Sequence, residues 1–232
     1  MSTKIIVSYD GTANEDDAIA LGQLFASAGG DVALAYVRHA READADREAA
    51  AQNQADELLG RGAALLENTD VARHVVVDPS TPEGLRGLAE REGADVIVFC
   101  SDSHTAKGHV AVGNSAHRLL EGGRTAIAIA PAGLAQSGNG SSVQKIVAVG
   151  DGDGGARATA EGLAATLGAS VEPVVNDSTG LLVVDSRPEA EAGRISLSSS
   201  AAHLIEIANC PVLVVPRGVT VSFARQAAAL SA

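Results

Sequence analysis

Short apolar runs alternate along the chain with longer stretches whose polar and apolar positions suit amphipathic helices. "KIIVSY", "DVALAYV", "ARHVVVD", "DVIVFC" and "TAIAIA" are dense in β-branched residues, the mark of strands buried on both faces. The segments between them carry readable helix starts. Asn14 is placed to cap "EDDAIALGQLFASAGG", where Glu15, Asp16 and Asp17 favour the positive helix end and Gly29-Gly30 stop it. Ser80-Thr81-Pro82-Glu83 has the form of a capping box before Leu85 and Leu88. The stretch from about Glu42 to Asn68 is rich in Ala and acids and predicts a surface helix with one apolar stripe. Alternating strands and helices predict a parallel sheet covered on both faces.

The same pattern then returns in shortened form. "KIIVSYDGT" at Lys4–Thr12 reappears as "KIVAVGDGD" at Lys145–Asp153, 141 residues later. "ADVIVFCSDS" reappears as "TGLLVVDSRP", and "RLLEGGRTAIAIAP" as "HLIEIANCPVLVVP", both at an offset of 85. The second copy therefore lacks about 56 residues of its middle. "QSGNGSS" between the copies has a linker's composition. The expected organisation is a full α/β domain at 1–135, a linker at 136–142 and a truncated α/β domain at 143–232. "SVEPVV" is followed by only "NDSTG" before "LLVVD", too little for a full parallel crossover, so it is expected to be a short or irregular edge element. Pairing of the two last strands, "TAIAIA" with "VLVVP", would remove two exposed apolar edges.

Composition narrows the partners. With 46% hydrophobic residues in 232, the chain can build a core without disulfides or metals. Aromatics are 2% and the net charge is −12. Both oppose nucleic-acid binding, which depends on stacking platforms and on Lys and Arg. No apolar run approaches a membrane span, and the N-terminus runs into the first strand without a signal-peptide pattern. Two cysteines do not form a disulfide framework, so a cytoplasmic location is expected.

In open parallel sheets, ligands sit beyond the carboxyl ends of the strands. Asp10-Gly11-Thr12 and the stretch Cys100–Ser103 occupy such ends, and Gly113-Asn114-Ser115 follows at a helix start. The alternative reading of that second stretch is a plain connecting loop. His104, His109 and His117 have no partners spaced to complete a zinc set and read as exposed loop residues. Cys100 and Cys210 read as small buried hydrophobes, with a redox-sensitive thiol as the alternative at Cys100. Glu15–Asp17 reads as helix-end charge sooner than as a Mg²⁺ site, and Asp151 with Asp153 is only half a calcium loop. No nucleophile motif is present, so no catalytic residue is named.

The first strand and turn V-x-Y-D-G-T, the "EGADVIV" lead into the fourth strand, the loop after it and a last strand ending in Pro resemble the universal stress protein family. The likeness covers nearly all of residues 3–135 and, more thinly, 143–218. It implies two Rossmann-like open parallel sheets of the adenine nucleotide alpha hydrolase-like kind, the second shortened. Nucleotide-binding members carry G-x2-G-x9-G-[ST], and this chain reads Cys100-x2-Ser103-x9-Gly113-Asn114. The resemblance assigns Asp10 and Val37 to the adenosine end, and Ser103, Gly113, Asn114 and Ser115 to the phosphates. Tyr9 and Cys100 complete the candidate nucleotide-binding set. Side chains at the lost glycines narrow the backbone's approach to a ligand. The second copy reads Asp185-x2-Pro188-x9-Ser198-Ser199, with a carboxylate where an anion would sit and a proline that lacks an N–H.

The function these residues imply is a non-enzymatic stress-response protein whose copies form an intramolecular pseudo-dimer. It binds adenine nucleotide such as ATP weakly in the first copy, needs no metal and is open to further self-association. The alternatives are a nucleotide-free interaction module with both pockets degenerate, and a slow nucleotide hydrolase.

Overall fold

The computed structural model describes residues 2–12, 14–137, 143–150 and 154–223. In the N-terminal half, β1 (Lys4–Ser8), β2 (Asp31–Arg38), β3 (Ala72–Val77), β4 (Val96–Cys100) and β5 (Ala126–Ala130) alternate with four helices. These are α1 (Glu15–Ser27), α2 (Ala45–Leu65), α3 (Thr81–Glu92) and α4 (Asn114–Leu120). The C-terminal half contributes β6 (Lys145–Val149), α5 (Gly155–Leu167), β7 (Ser170–Glu172), β8 (Leu181–Asp185), α6 (Ser199–Glu206) and β9 (Val212–Val215).

All the strands join one sheet in the order β3-β2-β1-β4-β5-β9-β8-β6-β7. Every neighbouring pair is parallel except β5 and β9, which run antiparallel. The expected pairing of the two last strands is observed, and its register is nearly self-complementary. Ile127 faces Val214, Ala128 faces Leu213 and Ile129 faces Val212. Residues 85 apart thus exchange places across an axis through Ala128 and Leu213, as in an isologous dimer contact. Two flanking hydrogen bonds obey the same rule: Val110 N donates to Ala208 O at 3.0 Å, and Ile195 N donates to Gly123 O at 2.8 Å.

Alternation along the buried strands divides the apolar side chains between two cores. Ile5, Val7, Val96 and Val98 point to one core with α1, α2 and α5, while Ile6, Ile97, Ile127 and Ile129 point to the other with α3, α4 and α6. Each core runs through both halves. The apolar stripe expected on α2 is Ala55, Leu58, Leu59, Gly62 and Ala63, all buried at helical spacing.

Two expected caps do not form. Asn14 takes a left-handed conformation at φ 75° and makes no side-chain cap; its Nδ2 donates instead to Asp102 O at 3.0 Å. Ser80 makes no side-chain cap either. Glu83 pairs with Arg86 at 2.6 Å, while Asp78 Oδ1 accepts the Ser80 N–H at 2.8 Å. In both places a longer-range or neighbouring partner wins over the local cap. The "SVEPVV" segment forms the three-residue edge strand β7, parallel to β6. Because β7 pairs only from Lys145 to Val147, a short return suffices to reach β8.

Among the described residues, no helix is long and apolar enough to cross a membrane. Most of the expected linker, residues 138–142, and the Asp151/Asp153 pair lie outside the described residues.

Candidate functional site

Strand order reverses at β1, which lies between β2 and β4, and the loops at this carboxyl end form the candidate site. A cavity of about 250 Å³ opens there, lined by Tyr9, Asp10, Thr12, Val37, His39 and Thr81 among others. Val37 belongs to the α3–α4 core, and Thr81 is the first residue of α3. Tyr9 belongs to the opposite core, its ring against α2 at Gly62, where a Cβ would stand 3.1 Å from Tyr9 Cδ1. Burial, and after it the negative charge of Asp16 and Glu15, raises the Tyr9 hydroxyl above its ordinary pKa.

The turn after β1 is held by two carboxyl groups. Asp10 Oδ1 accepts the Thr12 N–H at 2.9 Å, closing an Asx turn. Gly11 has φ 77°, and a Cβ there would come within 2.6 Å of Leu58 Cδ1, so the position needs glycine. Glu15 Oε2 accepts the N–H groups of both Asp10 and Gly11, the latter at 2.5 Å. Glu15 is only 5% exposed. Burial, joined by a hydrogen bond with the Asp10 side chain, pushes its carboxyl up to about 9. At neutral pH the Glu15 carboxyl therefore holds its proton.

The loop after β4 is bound to itself and to β5. Ser101 Oγ donates to Ala130 O at 2.7 Å and accepts from Ala111 N at 3.1 Å. Asp102 N donates to Ala111 O, and Asp102 Oδ1 accepts the His104 N–H at 3.1 Å. Ser103 is exposed, its Oγ 3.2 Å from His104 Nδ1. Gly113 precedes α4 with an ordinary φ of −69°, and Asn114 and Ser115 begin the helix. The Cys100 side chain packs with the α1 core, away from Val37. The structure thus gathers Tyr9, Asp10 and Val37 around one cavity, while Cys100, Ser103, Gly113, Asn114 and Ser115 do not line it.

Sequence reasoning placed Thr12 at the strand end without giving it a role and missed His39 and Thr81, although these lie just beyond a strand end and at a helix start. It also took Glu15 and Asp17 for helix-end charge. Asp17 is fully buried and clamps the turn after β5, accepting Gly133 N at 2.7 Å and Ala135 N at 2.8 Å. Asp16 alone of the three is exposed. His104, His109 and His117 are exposed. No group of three or more His, Cys, Asp or Glu that could hold a metal occurs among the described residues.

In the C-terminal half, Asp185 stands at the end of β8, where Cys100 stands at the end of β4. Asp185 Oδ1 accepts Ala156 N at 2.9 Å, at the start of α5. Its carboxyl group lies against Gly150 and Gly155: a Cβ at Gly150 would meet Asp185 Cβ at 2.3 Å. Ser198 caps α6 by accepting Ala201 N at 3.2 Å.

Residues 1–131 match the universal stress protein family. The chain belongs to that family. A universal stress protein from Archaeoglobus fulgidus DSM 4304 shares the fold at a TM-score of 0.68, with 15% identity, over 94% of this chain and 100% of that one. A functionally unknown protein from Pseudomonas aeruginosa PAO1 is similar at a TM-score of 0.63 and 15% identity, over 93% of each chain. No curated protein matches the chain. In this universal stress protein the β4 loop carries Cys100 and Ser103. The turn after β1 carries Asp10 and Gly11.

Proposed function

We propose that this universal stress protein is a non-enzymatic stress-response protein that binds the adenosine portion of an adenine nucleotide weakly. The cavity between the ends of β1 and β2 carries this reading, because it collects Tyr9, Asp10 and Val37 at the switch point of the sheet. Its volume of about 250 Å³ lies just below the roughly 300–1,000 Å³ usual for ligand pockets, which suits a base or nucleoside better than a whole triphosphate. Asp10 supplies an acceptor for ribose hydroxyls, and Val37 an apolar wall for the base. The division into a full and a truncated domain belongs to the same proposal: the C-terminal half, with Asp185 bonded to the start of α5, serves as a covalently attached pairing partner.

The nucleotide-free interaction module is the second reading, favoured by the self-bonded β4 loop and by the Asp185 carboxyl group seated at the start of α5. Calorimetric titration with adenosine and with ATP separates the two. Weak saturable binding that falls by roughly 1–2 kcal/mol in Asp10→Ala supports the adenosine reading. Silence of the wild type toward both compounds leaves the interaction module.

A further inference from the structure

The N–H groups between a first strand and its following helix are where an open α/β sheet receives an anion. In this chain the two N–H groups of that turn, on Asp10 and Gly11, already donate to one oxygen of Glu15. The side chain is buried, so its oxygen sits in a fixed place and does not sample solvent. The C-terminal half fills its own helix start with a different residue, Asp185, whose Oδ1 takes Ala156 N. The chain's own carboxyl groups thus take N–H groups at the turn after β1 and at the start of α5, while the cavity beside Val37 stays open.

We propose that Glu15 sets the ligand class of the N-terminal cavity, admitting an uncharged nucleoside or base and discriminating against its phosphorylated forms by occupying the N–H groups of the cavity's own turn, the β4-loop positions assigned to phosphates by resemblance lying outside its lining. The inference rests on the adenosine reading of the cavity and deepens it. Exclusion works by occupancy. A phosphate at this turn must either displace Glu15, leaving a buried carboxyl without its donors, or forgo the turn. The Asp10 side chain borders the cavity, where its oxygens can accept from ribose hydroxyls and disfavour a phosphate. Arg61 approaches the same turn from the α2 side, its Nη2 3.8 Å from where a Gly11 Cβ would stand. It does not line the cavity.

The test compares adenosine, AMP and ATP by calorimetric titration of the full chain and of two variants. In the wild type, adenosine should bind at least about tenfold more tightly than ATP. Glu15→Gln, whose amide can accept the same N–H groups and donate to Asp10, should keep that ratio. Glu15→Ala frees the N–H groups and should move the ratio about tenfold or more toward AMP and ATP. Should Glu15→Ala fail to fold by circular dichroism, Glu15→Asp, one methylene too short to reach both donors, takes its place with the same expectation. Wild-type protein that prefers ATP, or an unchanged ratio in Glu15→Ala, overturns this inference and leaves the adenosine reading standing. Wild-type protein that binds none of the three compounds overturns both.

Discussion

Ser101 and Ser186, 85 residues apart, make the same two hydrogen bonds in the two halves of the sheet. Ser101 Oγ donates to Ala130 O at 2.7 Å and accepts from Ala111 N at 3.1 Å. Ser186 Oγ donates to Val215 O at 2.9 Å and accepts from Ser196 N at 3.3 Å. All the partners are also 85 apart, and both serines are 1% exposed. Each hydroxyl ties the end of one strand to the end of the next and to the returning loop. Ser101→Ala and Ser186→Ala should each cost about 1–3 kcal/mol in urea denaturation, since each leaves a buried carbonyl and N–H short of a partner.

The repeat that places these serines is readable in the sequence because each apolar run is buried on both faces and so keeps its character. The pairing of β5 with β9 is readable for the same reason: "TAIAIA" and "VLVVP" each end a half-sheet with an edge that water does not favour. The site was legible only in part. Asp10 and Val37 sit at strand ends, where the fold makes position predictive. Glu15 was not legible, because an acid in a first helical turn reads as dipole charge, and only the tertiary turn of Asp10-Gly11 shows its other use. The missing caps at Asn14 and Ser80 have the same origin, since the sequence cannot show that Asp102 O and Asp78 compete.

The register through Ala128 and Leu213 predicts how the halves behave apart. A fragment of residues 143–232 exposes the β9 edge and one side of both shared cores, so it should be largely unfolded. A fragment of residues 1–135 retains a full α/β unit. Its β5 edge, nearly self-complementary, should pair with a second copy. Circular dichroism and sedimentation velocity check both outcomes. A cooperative melt of the monomeric C-terminal fragment would count against the shared cores.

Glu15 makes stability depend on pH. Glu15 titrates at about 9 in the folded chain against an ordinary 4.5, so between these values the folded state holds a proton that the unfolded state releases. Its contribution is complete below about pH 4.5 and is lost as pH rises toward 9. Thermal melts of wild type and Glu15→Gln across this window should diverge: the wild type loses stability with rising pH, and the variant loses less. Parallel curves would show that Glu15 is ionised throughout.

The two thiols should be inert in the native protein. Burial pushes Cys100 up to about 12, with the acids Glu15 and Asp10 adding to it, and Cys210 up to about 11. Thiolate is the reactive form, so little is present at pH 8. Alkylation with iodoacetamide should be slow for both residues in the folded chain and fast after denaturation, as peptide mass spectrometry will show. Rapid native labelling of Cys100 would restore the redox-sensor reading.

Phe25 of α1 and Phe223 stack on one another. Phe25 is fully buried in α1, and Phe223 lies against it with ring centroids 5.5 Å apart at 29°. The segment carrying Phe223 is fastened nearby by Val221 N, which donates to the buried Thr159 Oγ1 of α5 at 3.0 Å. Thr3 Oγ1 donates in turn to Ser222 O. The segment thus straps α1 of the first half to α5 of the second, on the face opposite α4 and α6. Phe223→Ala should cost about 3 kcal/mol or more, as for a buried aromatic truncated in a core. Part of that cost belongs to the ring pair, so Phe25→Ala and Phe223→Ala should not add. A double-mutant cycle in urea should give a coupling of about 0.5–1.5 kcal/mol. Strict additivity would mean that the two rings are neighbours without being partners, and that Val221 and Thr159 hold the strap on their own.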